Sequence, residues 1–195
     1  MTLEYILVNL KRELIRTFAV VDEWFDKEHP LHCYRPQDGG WSVSEVLEHI
    51  SITTHHLLIL IEKGKERAVA KSKDEEALRS AIENYTLMKE GFQDIARPGT
   101  FAWNRPDHHA PTGTAMLCEV RVAWRDQLLQ CLLTLDQIPN GEGTLHQTTM
   151  SVNNLGRLDV YQYLYFLALH AQRHIVQLKK IEDEFSNADI DVKAS

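Results

Sequence analysis

Cysteine is scarce. Cys33, Cys118 and Cys131 are the only three in 195 residues, and none forms a CxxC pair. So sparse and odd a count argues against a disulfide framework and for reduced thiols in a cytoplasmic protein. Basic runs are missing too, and the formal net charge is −7. Nucleic acid and anionic membrane surfaces are therefore not expected as partners, since both are held through basic patches. The N-terminus has no long apolar run and carries Glu4, Lys11, Arg12 and Glu13, so neither a signal peptide nor a membrane span is expected. The chain contains no HExxH, no G-x-S-x-G, no glycine-rich phosphate loop and no Glu-x-x-His pair of the kind that builds carboxylate di-iron bundles.

What remains is the composition of one ordinary globular domain over residues 1–195, with 44% hydrophobic and 25% charged residues. Strand-favouring runs are few, whereas Leu, Glu, Lys, Ala and Gln are plentiful, which favours helices. Leu3, Leu7, Leu10, Leu14, Phe18, Val21 and Phe25 form the apolar stripe of a first helix over residues 2–28, which His29-Pro30 is expected to end. After a connection to Gly40, Ser42 and Glu45 make a capping box for a second helix. Its stripe of Val46, Ile50, Thr53, Leu57 and Leu60 runs to about Gly64. A charged stretch from Lys63 to Glu76 reads as a turn or frayed end. Ala81, Tyr85, Met88, Phe92 and Ile95 mark a short helix, and residues 96–113, with three of the six prolines, an irregular loop. Leu117, Val120, Trp124, Leu128, Cys131 and Leu135 define the third long helix. The run His146 to Asn154 has no periodicity. Asp159 and Gln162 cap a last helix reaching about Phe185, and a mobile polar tail is expected from about 186. The expected fold is all-α: a four-helix bundle with one extra short helix and a long crossover between helices two and three. That crossover is long enough to bring the chain back parallel.

The last helix is the informative one. Its core-facing series is Tyr163, Leu167, His170, His174, Gln177 and Ile181, so two histidines stand where Leu is the default. Residues four apart lie on one face with Cβ atoms about 5–6 Å apart, and two imidazoles so placed can converge on one ion at about 2.0–2.1 Å. The alternative is a pair of hydrogen-bonded core histidines, each in need of a polar partner. A third ligand must come from another helix. His49 borders the stripe of helix two, with Glu45 one turn earlier as a candidate to orient it or act as a base. His56, two turns further on, is a rival or additional ligand, and His55 points elsewhere. His29, His32 and Cys33 read as loop residues, as do His108, His109 and His146, although His108 and His109 could line a pocket mouth. Arg173 faces either solvent or a substrate carboxylate.

Trp41-Ser42-Val43-Ser44-Glu45-Val46-Leu47-Glu48-His49, together with His170-Ala171-Gln172-Arg173-His174-Ile175-Val176-Gln177, resembles the DinB/YfiT-like superfamily. Its pattern is a Trp, an E-x-L-x-H turn on helix two and H-x-x-R-H-x-x-Q on helix four. The resemblance spans nearly the whole chain. It implies a four-helix bundle that binds one divalent metal ion, commonly zinc, nickel or iron, through His49, His170 and His174, and that often forms a homodimer. Activities in the family include low-molecular-weight-thiol S-transfer, a thiol-dependent isomerisation and suspected hydrolysis. Three neutral imidazoles leave a coordination position open, as in catalytic zinc sites, and an ion so held acidifies a water or thiol. A metal-dependent transferase or hydrolase acting on a small molecule is the expected function. The competing class is a non-catalytic metal-binding bundle used for dimerisation or ligand binding, favoured if His56 seals the open position. Three imidazoles suit zinc, nickel, iron and copper alike.

Overall fold

The structure, a computed structural model, describes residues 2–101 and 106–194, with side chains up to 188. Four long helices form the bundle: α1 (Leu3–Glu23), α3 (Val43–Lys71), α6 (Leu117–Gln137) and α7 (Val160–Ala194). Three short ones lie between them: α2 (His29–Cys33), α4 (Glu75–Glu83) and α5 (Phe92–Ile95). The architecture is all-α, with a single two-stranded antiparallel hairpin, β1 (Gln147–Met150) and β2 (Gly156–Asp159), among the described residues. No helix among them is long and apolar enough to cross a membrane.

Cross-helix pairs fix the directions. The Trp124 indole stacks on Phe18 at 3.9 Å and donates to its carbonyl, while Lys11 meets Asp136 and Arg121 meets Asp22, so α1 and α6 are antiparallel. Gln127 donates to the Ser51 carbonyl and Lys65 to Gln137, so α3 and α6 run parallel. His49 faces His170 and His174 while Gly64 faces Val160, so α3 and α7 are antiparallel. The parallel α3–α6 pair requires the long crossover expected from loop length, and the chain spends residues 72–116 on it. Part of that crossover packs on the bundle: Phe92 and Ile95 of α5 are fully buried, Phe92 beside Tyr165 of α7.

The apolar stripes form the core largely as their spacing predicts; Leu10, Leu14, Phe18, Val46, Ile50, Trp124, Cys131, Leu167 and Ile181 are all buried. Leu60 and Met88 are exceptions, both exposed, and Leu58 and Ile61 fill the space on α3 instead. Helix ends differ more. α1 stops at Glu23, passes through a 3-10 turn (Trp24–Asp26), and Pro30 lies inside the first turn of α2 instead of ending a helix. In a first turn the missing N–H of proline has no intrahelical partner to lose. α3 runs through Gly64 to Lys71, so the stretch from Lys63 is helix and not turn. Gly64 is a packing residue: a Cβ there would lie 3.4 Å from a Val160 methyl. The helix read from Ala81 to Ile95 is two pieces, α4 and α5. The polar run after His146 pairs as β1 with β2, Gln147 opposite Asp159 and Met150 opposite Gly156. α7 continues past Phe185 to Ala194 where a mobile tail is expected, since no Gly or Pro interrupts residues 186–194.

The second capping box does form, in a buried setting. Asp159 Oδ1 accepts from the Gln162 N–H at 2.9 Å and from the Tyr85 hydroxyl at 3.1 Å, and Gln162 Oε1 accepts from the Asp159 N–H at 3.1 Å. Burial pushes the Asp159 carboxyl from 3.8 up to about 6, against the lowering effect of these donors. The fold thus prefers the neutral acid. That contribution to stability is full below about pH 4 and lost as pH rises through about 6. Asp159→Asn keeps an acceptor in place and should flatten this part of the pH dependence of the thermal midpoint between pH 4 and 7. An unchanged slope would refute the assignment. Gly64→Ala meets only ordinary van der Waals distances and removes a helix-interior glycine, so it should stabilise the protein by up to about 1 kcal/mol in denaturant unfolding. A loss of stability would show that the α3–α7 contact tolerates no Cβ.

Candidate metal centre

His49 sits on the second turn of α3, placed by the capping box that starts that helix. Ser42 Oγ accepts from the Glu45 N–H at 3.3 Å and Glu45 Oε2 from the Ser42 N–H at 2.8 Å. His170 and His174 lie one turn apart on the face of α7 that the antiparallel packing turns toward α3. The three side chains are buried, with 4%, 1% and 8% of their surfaces exposed. Their ligand-capable nitrogens lie within 4.8 Å of one another. The Nε2 atoms of His170 and His174 are 3.2 Å apart, with ring planes 71° from each other. Two nitrogens at about 2.0–2.1 Å from one ion in tetrahedral geometry are about 3.4 Å apart, so this pair already has the spacing of two ligands.

Two of the rings are oriented from behind. His49 Nδ1 lies 2.7 Å from the carbonyl oxygen of His109, and His174 Nδ1 lies 2.8 Å from Gln177 Oε1. Both partners only accept, so each Nδ1 carries the proton and each Nε2 keeps its lone pair for the centre. Trp41 packs against the His49 ring at 4.8 Å. The loop that carries the His109 carbonyl is anchored three residues further on by a residue that periodicity did not single out. Glu48, 5% exposed, accepts from the Thr112 N–H at 2.9 Å, the Thr112 hydroxyl at 2.7 Å and the Gly113 N–H at 3.0 Å, tying the crossover loop to α3. Gly113 has φ +73, and a Cβ there would crowd Glu45 at 3.3 Å, so the loop needs glycine at that point.

Burial keeps the pair on α7 neutral. It drives the His170 pKa well below 6.5, helped by His174 and His49, and that of His174 down to about 3, helped by His49. Neutral imidazole is the form that binds metal.

Glu45 is engaged elsewhere. Besides capping α3 it accepts from the Arg35 guanidinium at 2.9 Å. Burial acts to raise its pKa, but the Ser42 donors and Arg35 together outweigh it and the net shift is downward. His56 does not join His49; its ring stacks on His109 at 4.9 Å and meets His108 edge-on at 4.9 Å. His55 is exposed, as its position on the helix predicts. His29, His32 and Cys33 lie on α2 and not in a loop, and His32 is buried with Nε2 2.9 Å from the Trp24 carbonyl. His146 is half-buried beside Gly64. Arg173 does not face open solvent. It is half-buried, donates to the Arg97 carbonyl and lies over the Phe101 ring at 5.7 Å, fastening residues 97–101 to α7. Cys33 and Cys118 are exposed free thiols, and burial pushes the Cys131 thiol up to about 12.

A helical bundle with three buried histidines on facing helices defines a class of metal-binding protein. The chain matches the DinB superfamily over residues 16–178 and belongs to it. No curated protein and no solved structure shows significant similarity to the chain. The donor set fits the divalent ion associated with this class: three converging imidazole nitrogens, two of the rings locked in the ligating tautomer.

Gln177 is the last letter of the H-x-x-R-H-x-x-Q pattern, and its contact with His174 gives that letter a physical role. Outer hydrogen bonds to ligating imidazoles are worth about 10–100-fold in metal affinity. Gln177→Ala should weaken zinc binding by about that factor in chelator competition, and Gln177→Glu should restore or tighten it. Equal affinities in all three proteins would remove Gln177 from the site.

Proposed function

We propose that the chain is a divalent-metal-dependent enzyme acting on a small molecule, by thiol S-transfer or hydrolysis, with His49, His170 and His174 as the metal ligands. The convergence of three buried imidazoles, the two on α7 kept neutral by burial, supports this most directly. A divalent ion held by three imidazoles supplies Lewis acidity and makes a small thiol or water nucleophilic near neutral pH. The protein's own part is positional. His109 and Gln177 fix two ring tautomers, burial keeps the two α7 imidazoles unprotonated, and Glu48 and Arg173 fasten the crossover segments on either side of residues 102–105. Because His56 packs with His108 and His109, it is not disposed as a fourth ligand that would close the site. That favours catalysis over a purely structural ion. The outer face of α6 exposes Val122, Leu129 and Leu133, an apolar strip suited to a homodimer.

Elemental analysis of untagged protein tests the reading. Wild type should carry zinc, nickel or iron, and His170→Ala should lose one equivalent of it. Cobalt(II) in place of the native ion then separates the two chemistries. Added low-molecular-weight thiol should produce a sulfur-to-cobalt charge-transfer band if the substrate is a thiol, and none if the enzyme is a hydrolase. No difference in metal content between wild type and His170→Ala would overturn the metalloenzyme reading.

A further inference from the structure

Outside the three-histidine centre the molecule holds a second group of the same chemistry. His56 of α3 meets His108 and His109 of the 3-10 turn Asp107–His109. One nitrogen from each ring lies within 4.8 Å of the others. The ring centroids are 4.9 Å apart for His56 and His108, 4.9 Å for His56 and His109, and 4.5 Å for His108 and His109. Three imidazoles contributed by two separate elements is an unusual way to fix a loop, since any two of them repel when protonated and, among the described residues, no carboxylate completes the group.

We infer that His56, His108 and His109 form a second site for a divalent transition-metal ion, with zinc, cobalt(II) and nickel(II) as the class that three imidazole nitrogens take. The ligand nitrogens must close from within 4.8 Å to about 3.4 Å of one another, and two features allow it. His108 is exposed, so its side chain can turn without disturbing a core, and His56 is only half-buried at the edge of the α3 stripe. Water completes the coordination on the exposed side. The ion would join α3 to the crossover, seven residues beyond His49 along the same helix. This site is shallower than the first and should bind more weakly and exchange faster. It uses none of the side chains of the first centre, so it stands or falls separately from the proposed function.

The test is titration of metal-free, untagged protein with zinc by calorimetry, and with cobalt(II) by visible absorption, followed by elemental analysis after gel filtration under zinc. Wild type should take two equivalents, one tighter than the other. His108→Ala, on an exposed loop, and His56→Ala should each lose the weaker equivalent or weaken it by more than about tenfold, exceeding the loss of a mere outer contact. Both should keep the tighter one. His170→Ala should lose the tighter equivalent and keep the weaker. Circular dichroism confirms that the variants are folded, and should His56→Ala fail to fold, the exposed His108 variant alone decides. A wild type that binds a single equivalent, unchanged in His108→Ala, overturns the second site and leaves the first. A single equivalent lost in His108→Ala but kept in His170→Ala establishes the second and overturns the first. No binding overturns both.

Discussion

Two imidazoles one turn apart on the buried face of α7 make demands that most of the molecule is arranged to meet. They must stay neutral, because protonating either beside the other in a low-dielectric core is costly, and burial enforces this for both. Their lone pairs then need a destination. Gln177 accepts a hydrogen bond from the outer nitrogen of His174, which aims its Nε2 inward at His170, and α3 brings His49 to the same point. Antiparallel packing of α3 on α7 is what allows this meeting near the start of one helix and the middle of the other. The opposite end of the same contact is the close approach of Gly64 to Val160.

The topology follows from a further need of the site, a partner for His49 Nδ1. On α3 itself the Thr53 hydroxyl lies 3.5 Å from that nitrogen. The closer acceptor, at 2.7 Å, is the backbone carbonyl of His109, on the crossover that parallel α3 and α6 require. A carbonyl on a loop is only as well placed as the loop, and Glu48 fixes this one. Its carboxylate, buried and one residue from His49, takes three donors from Thr112 and Gly113. Hydrogen bonds to a charged acceptor are the stronger kind, about 1.5–3 kcal/mol each, and three on one carboxylate hold a loop that has no secondary structure of its own at Thr112 and Gly113.

The sequence was most legible where burial imposes a period. The apolar stripes of all four long helices, both capping boxes, the pair on α7 and the place of His49 follow from steps of three and four. The parallel return was legible from loop length, since the crossover is long enough to bring the chain back parallel. Legibility failed wherever the deciding partner is distant in the chain. Gly64 reads as a stop signal because its reason, Val160, is on another helix. Pro30 looks like a terminator because its tolerance depends on being in a first turn. The β1–β2 hairpin has only four residues per strand, too few for alternation to declare itself. Glu48 resembles any helix-surface acid until Thr112 and Gly113 fold onto it. His108 and His109 read as loop residues and lie in a 3-10 turn of the crossover; only the return of that crossover against α3 brings them to His56.

His109 therefore belongs to two groups through different atoms. Its ring stacks on His56, and its carbonyl oxygen orients His49. The second contact depends on where the backbone runs and not on which side chain residue 109 carries. What the His49 support requires of the loop is a path, and Glu48 together with the positive-φ Gly113 defines that path from one side. The imidazole trio bears on it from the other, through a contact between side chains that leaves the carbonyl free to serve His49. A buried site built on rigid helices thus takes one of its orienting contacts from a segment that Glu48 holds by hydrogen bonds and His56 by ring stacking.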